Sequence, residues 1–310
     1  MNARTKSFMT GLFIVLIAVV LVSITVAAQD GPGKLHWKLR LNETRGPIRT
    51  ADMSEPSGNA ALSEILGGPT NGSDNAYLIY TRMAAGAYGP ALFTLPVEDD
   101  YVVLSGKMTV QIGTDKFVAG PNTAVVVPPN TPHAFWNAEG GSEANFEVIA
   151  SANPHKDLSR DLMSMLKPAQ ATKVENAAKC IREIKFLAVS DLKPGLNGQA
   201  WTDVTKGSPI QVRLDSALKG NGNTKTHVHL FEQVYFGTEG DMSLTYGLEN
   251  LTVKKGDIAI IPPGLLHANA STTAVERHIT LLLPQPPPGS GPADIDFERT
   301  SPAAGGGTNP

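Results

Sequence analysis

The sequence predicts an all-β fold: two tandem jelly-roll β-barrels joined by a short helical connector. Short runs rich in β-branched and aromatic residues, such as Tyr101–Leu104, Met108–Ile112 and Thr123–Val127, recur between Gly, Pro and Asn punctuation, the pattern of many short antiparallel strands. A shift of the chain by 134 residues superposes Gly106 on Gly240, Pro128-Pro129 on Pro262-Pro263, His133 on His267, Tyr101 on Tyr235 and Met108 on Met242. A length of 310 residues exceeds one ordinary domain, and a hydrophobic content of 41% gives each copy a core of its own.

The elements follow in order. Residues 1–28 carry Arg4 and Lys6, then an uncharged run from Phe8 to Ala28 that ends in Val26-Ala27-Ala28. This is the pattern of a secretory leader cleaved after Ala28. The run of 21 residues also has the length of a bilayer span, so an uncleaved membrane tether through residues 8–28 is the alternative. Either reading exports the protein to the periplasm or cell exterior. Residues 29–74 form a lead-in, irregular around Gly67-Gly68-Pro69 and Asn71-Gly72, with strand residues that cover the partner barrel. The first barrel spans 75–152, a partly helical connector 153–202 with helices over 157–166 and 171–186, and the second barrel 203–284. The tail 285–310, with Pro286-Pro287-Pro288 and Gly305-Gly306-Gly307, reads as disordered. Cys180 is the single cysteine, which excludes an intramolecular disulfide and a thiolate cluster, and it reads as buried. The net charge of −3 without a basic cluster excludes a nucleic-acid partner.

His227-Val228-His229 concentrates the chemistry. On a strand the two imidazoles share one face, because side chains alternate and Val228 is sent to the other. Gln233 and Tyr235 share the parity of His229, whereas Glu232 has the opposite one. His267, after the turn signal Pro262-Pro263-Gly264, completes a candidate metal set of His227, His229, Gln233 and His267. Imidazole suits transition metals, and three or four such ligands with an open position are typical of catalytic sites.

These residues resemble the two consensus motifs of the cupin superfamily. The first appears as His227, His229, Gln233 and Gly240, the second as Gly256, Pro262, Gly264 and His267. Gln233 stands where the family usually has Glu, Ser271 where it has Asn, and the opening glycine is displaced to Gly220 or Gly222. In the first copy Phe93, Leu95 and Asp99 replace His227, His229 and Gln233, so the resemblance is to a bicupin with a metal-binding C-terminal barrel and a degenerate N-terminal one. His133 there reads as a satisfied structural histidine. Barrel pairing in the family leaves a homo-oligomer open.

The resemblance implies one divalent metal ion, copper, iron, manganese, nickel or zinc, and a small-molecule substrate. Three neutral imidazoles and a neutral amide leave the ion its full charge, a strong Lewis acid for enolate, enediolate or carboxylate oxygens. Candidate catalytic residues are Tyr235, His278 and Glu232. Glu232 reaches the site only across a bulge, and an aromatic at the place of Tyr235 is more often barrel filling. Arg213 is a candidate for a substrate carboxylate, and Asn269 either for a ligand hydrogen bond or as the stand-in for the displaced family Asn. Three functions are compatible: a quercetinase-like dioxygenase acting on an enolic, phenolic or carboxylate substrate, which the resemblance places first; a non-oxidative isomerase, lyase or decarboxylase; and a non-catalytic metal- or ligand-binding module.

Overall fold

Two copies of one strand plan build the computed structural model, which describes residues 37–286 except 57, 59, 139, 185–187, 193–197 and 202–207, together with 294–296. In the first barrel a large sheet runs in the order Trp37–Leu41, Ala61–Gly67, Ala76–Met83, Glu143–Ala150, Glu98–Ser105, Thr123–Val127, Ile181–Glu183. A smaller sheet faces it, in the order Lys167–Pro168, Phe93–Thr94, His133–Trp136, Met108–Ile112, Asp115–Ala119. The second barrel repeats this arrangement. Its large sheet is Gly198–Trp201, Gln211–Leu218, Val275–Leu283, Glu232–Glu239, Asp257–Ile261, Ile48–Thr50. Its small sheet is Glu249–Val253, Met242–Tyr246, His267–Ser271, His227–Val228, Ile295–Asp296.

Register confirms the internal repeat: His133 pairs with Phe93 and His267 with His227, the pairs related by the sequence shift. Gly106 and Gly240 hold the same left-handed φ of 69°. A Cβ at either would lie 2.2 Å from the Ser142 carbonyl oxygen or 2.3 Å from that of Val275, so only glycine fits.

The two large sheets pack on each other. Phe236 stacks on Phe146 at 4.6 Å and on Tyr80 at 5.9 Å between ring centroids. Val148, Val234, Ile260, Ile279 and Leu281 extend this core between the barrels. The lead-in crosses the seam, because Trp37–Leu41 and Ala61–Gly67 join the first barrel while Ile48–Thr50 pairs with Asp257–Ile261 of the second. The lead-in therefore combines three strands with irregular chain between them.

Three local expectations change. The helix expected over 171–186 is a single 3-10 turn, Ala177–Cys180, followed by the strand Ile181–Glu183 on the edge of Thr123–Val127. Ala177 and Cys180 are buried against the first barrel with Val174 and Ile181, so the apolar spacing reflects docking, and the open sheet edge takes the backbone hydrogen bonds a helix would have used. The helix over 157–166 is two single turns, Pro154–Asp157 and Leu162–Met165, the second capped by Asp161. In the tail, Ile295–Asp296 pairs with His227–Val228. The leader lies outside the described residues, among which no helix is long and apolar enough to cross a membrane.

Candidate metal centre

The barrel interior brings the three histidines together from separate elements. His227 sits on its strand opposite His267, and His229 follows on the loop that the Gly264 N–H ties down through the His229 carbonyl at 2.8 Å. All three are at most 1% exposed. One nitrogen from each lies within 4.8 Å of the others, with ring centroids 4.2 to 5.4 Å apart.

Backbone carbonyls set the ring orientation. His227 Nδ1 faces the Lys225 carbonyl at 2.8 Å and His267 Nδ1 the Leu265 carbonyl at 2.9 Å, so each donates from Nδ1 and turns the Nε2 lone pair inward. Gln233 Oε1 lies 3.0 Å from His267 Nε2, which sets two acceptor atoms facing each other. A shared cation satisfies both. His229 makes no hydrogen bond of full geometry, lying only near the Phe231 backbone and the Gln233 side chain, which leaves a ring nitrogen for a metal. Burial pushes His229 and His267 down to about 4, helped at both by His227, so both are neutral lone-pair donors near pH 7. The residues present fit one divalent ion: His227, His229 and His267 as nitrogen donors, with Gln233 offering an amide oxygen.

Beside the triad lies a polar cavity of about 60 Å³, lined by Gln233, Tyr235, Arg213, Asp215, His278 and Asp294, among others. His278 Nδ1 is 2.6 Å from Glu276 Oε1 and its Nε2 is 3.7 Å from Asp215 Oδ2. Burial is the largest single influence on this imidazole and opposes its charge, but Glu276 and Asp215 together outweigh it and move His278 upward. Thr280 Oγ1 donates to Asp215 Oδ2 at 2.6 Å, and Arg213 Nε lies 3.9 Å from Asp215 Oδ1. The Tyr235 ring meets His278 edge-on at 5.0 Å. Burial raises the Tyr235 phenol strongly, so it stays protonated.

The structure thus brings Tyr235, His278 and Arg213 to one cavity next to the triad. Glu232 goes elsewhere. It points out of the barrel, as its parity requires, where Oε1 accepts from Ser73 Oγ at 2.5 Å and Oε2 from Asn75 Nδ2 at 3.1 Å. No bulge turns it inward. Asn269 lines the cavity, 3.5 Å from the Tyr235 hydroxyl. Asp215, Glu276, Asn223 and Asp294 also belong to the site and were missed in the sequence. Arg213-x-Asp215 alternates with the apolar Val212 and Leu214, so parity carried a readable signal for Asp215, whereas Glu276-Arg277-His278 shows no such alternation.

The first barrel shows what was lost. His133 takes the place of His267, with Nδ1 2.8 Å from the Thr131 carbonyl and Nε2 2.9 Å from Asp99 Oδ2. Both nitrogens are satisfied, and Tyr101 OH also donates to Asp99 Oδ2, at 2.7 Å.

Residues 80–149, in this first barrel, match the family model for the Cupin domain. No curated protein sequence matches the chain. Among solved structures the fold is similar to a variant of oxalate decarboxylase from Bacillus subtilis, with a TM-score of 0.57, 14% identity, and 82% of this chain and 80% of that chain covered. It is also similar to a Bacillus subtilis oxalate decarboxylase whose Mn(II) centers have been described, with a TM-score of 0.54, 14% identity, and coverage of 76% and 74%. AerE from Microcystis aeruginosa is similar with a TM-score of 0.50, 14% identity, and coverage of 67% and 88%. A stretch of the first barrel thus matches a cupin domain, the second barrel repeats its strand plan, and the chain has the two-barrel jelly-roll fold of these structures, with a histidine triad in the second barrel that fits one metal ion.

Proposed function

We propose that the protein is a metal-dependent enzyme acting on a small carboxylate without net oxidation, as a decarboxylase, lyase or isomerase. The observation that carries this is the cavity beside the triad, which is lined by cationic, anionic and phenolic groups suited to a small acid and its proton transfers. The bound ion supplies Lewis acidity at a substrate oxygen. Arg213 meets a carboxylate by a charge-assisted hydrogen bond. His278, moved upward by Glu276 and Asp215, is the proton donor, and the protonated Tyr235 orients a substrate oxygen. Proton-handling groups beside the metal are what decarboxylation or isomerisation needs. The similarity to oxalate decarboxylases supports this reading as a precedent on the same fold, although fold alone does not carry an activity.

The dioxygenase expectation remains as a second reading, on the neutral three-His, one-Gln donor set. The test is to supply the metal-loaded full chain with oxalate and other small acids while recording CO2 release, product isomers and dissolved oxygen. Turnover without net oxygen uptake is expected. Stoichiometric oxygen uptake would replace this reading by the dioxygenase, and metal binding without turnover of any acid would leave a binding module.

A further inference from the structure

The metal centre has a wall that its motifs do not include. Asp296 and Ile295, beyond the second barrel, pair as an antiparallel strand with His227 and Val228. This places Asp294 on the cavity, where its Oδ2 accepts from Asn223 Nδ2 at 2.9 Å. The same amide nitrogen lies 3.3 Å from His227 Nε2, the atom aimed at the metal position. Asn223 is itself fixed, because its carbonyl accepts from the Asn269 N–H at 2.9 Å. Gly222 before it has a φ of 150°, and a Cβ there would sit 2.4 Å from the Asn269 carbonyl oxygen, so glycine permits this close approach. One carboxylate from the C-terminal segment therefore anchors the side chain that touches a metal-ligating nitrogen.

The charge of that carboxylate has a use. The proposed donor set is neutral throughout, so a divalent ion would bring its double charge into the barrel uncompensated. Asp294 lines the cavity beside the triad, one amide nitrogen away from His227 Nε2. It is outside the set of groups within 4.8 Å of one another that the triad forms, so its influence is electrostatic and through Asn223.

We infer that Asp294 is a positioning residue of the metal centre: carried by the returning C-terminal strand, it engages the Asn223 amide that would otherwise donate to the His227 Nε2 lone pair, and it supplies the counter-charge that Gln233 lacks. The inference rests on the metal-site reading of the triad. Its consequence is reciprocal coupling, in which metal binding docks the strand 295–296 and the docked strand tightens the metal. It also gives the segment after Leu283 a part in a centre otherwise assembled from the barrel.

The test uses cobalt(II) as the metal, the full-length chain, and the variants Asp294→Asn, Asp294→Glu and His227→Ala. Affinity is read from titration of the cobalt d–d absorption, and strand docking from amide hydrogen exchange at residues 294–296 with and without cobalt. Asp294→Asn should bind cobalt about 10- to 100-fold more weakly, the range seen when a group supporting a metal ligand is removed. Asp294→Glu should recover part of the loss, and cobalt should slow exchange at 294–296 in wild type more than in Asp294→Asn. Wild-type affinity in Asp294→Asn, or exchange at 294–296 indifferent to cobalt, would overturn the inference and leave the triad intact. No cobalt binding by wild type, or equal binding by His227→Ala, would overturn the metal-site reading and this inference with it.

Discussion

His133 and His267 adopt one pose with different neighbours. The His133 ring meets Phe93 at 4.2 Å and 55°, and the His267 ring meets His227 at 4.2 Å and 54°. Equivalent strand positions thus present a phenyl in one barrel and a ligand nitrogen in the other. Replacing His227, His229 or His267 by Ala should abolish stoichiometric metal binding, read by elemental analysis of the purified protein. His133→Ala should leave metal content unchanged, because both of its nitrogens are occupied by Thr131 and Asp99. A fall in metal on that substitution would show a second site. The triad was legible in the sequence from its His-x-His spacing and a Pro-Pro-Gly turn, although the strand ends at Val228 and the loop, tied by Gly264, is what aims His229. Period-two alternation sent Glu232 outward, and the structure keeps it there. Asp294 had no such signal, since its approach to the cavity depends on where a distant tail returns.

At the scale of the element, glycines and edges decide. Gly240 ends the strand Glu232–Glu239 in a left-handed turn whose Cβ position is filled by the Val275 carbonyl. Gly240→Ala should destabilise the protein by about 1–3 kcal/mol, from overpacking and an unfavourable φ, measurable as a lower denaturant midpoint. An unchanged midpoint would mean the turn rearranges freely. The strands were readable from their β-branched runs and turn residues. The connector was not: a three-residue apolar spacing suits a helix, yet Ala177 and Cys180 make the same spacing serve a 3-10 turn against the barrel. Local pattern cannot tell these apart, because the open edge of Thr123–Val127 that captures Ile181–Glu183 comes from another part of the chain.

For the whole molecule, the seam between the barrels is the stabilising contact and also a source of pH dependence. Phe236 stacks on Phe146 and Tyr80 across it, and Phe236→Ala should cost about 3–5 kcal/mol by deleting a buried ring and leaving a cavity. Glu232 is buried at the same seam, and burial pushes it up to about 7 from its ordinary 4.5, against the hydrogen bonds from Ser73 and Asn75. A carboxyl with a raised folded value binds more protons folded than unfolded, so its contribution is full below about 4.5 and is lost as pH rises through about 7. The loss across that window is about 3 kcal/mol at most. Glu232→Gln should flatten this part of the stability profile in urea titrations at several pH values, and a slope identical to wild type would remove Glu232 as its cause.

The sequence by itself determined the fold class, the internal repeat and the identity of the histidine triad, since strand alternation, turn chemistry and a fixed repeat shift are local or periodic properties of the chain. Only the tertiary structure decided that the lead-in crosses between barrels, that Asp215 and Glu276 support His278, and that residues 294–296 close on His227. Those contacts join segments far apart in sequence, and they depend on which sheet edges and buried charges the folded barrels leave to be satisfied.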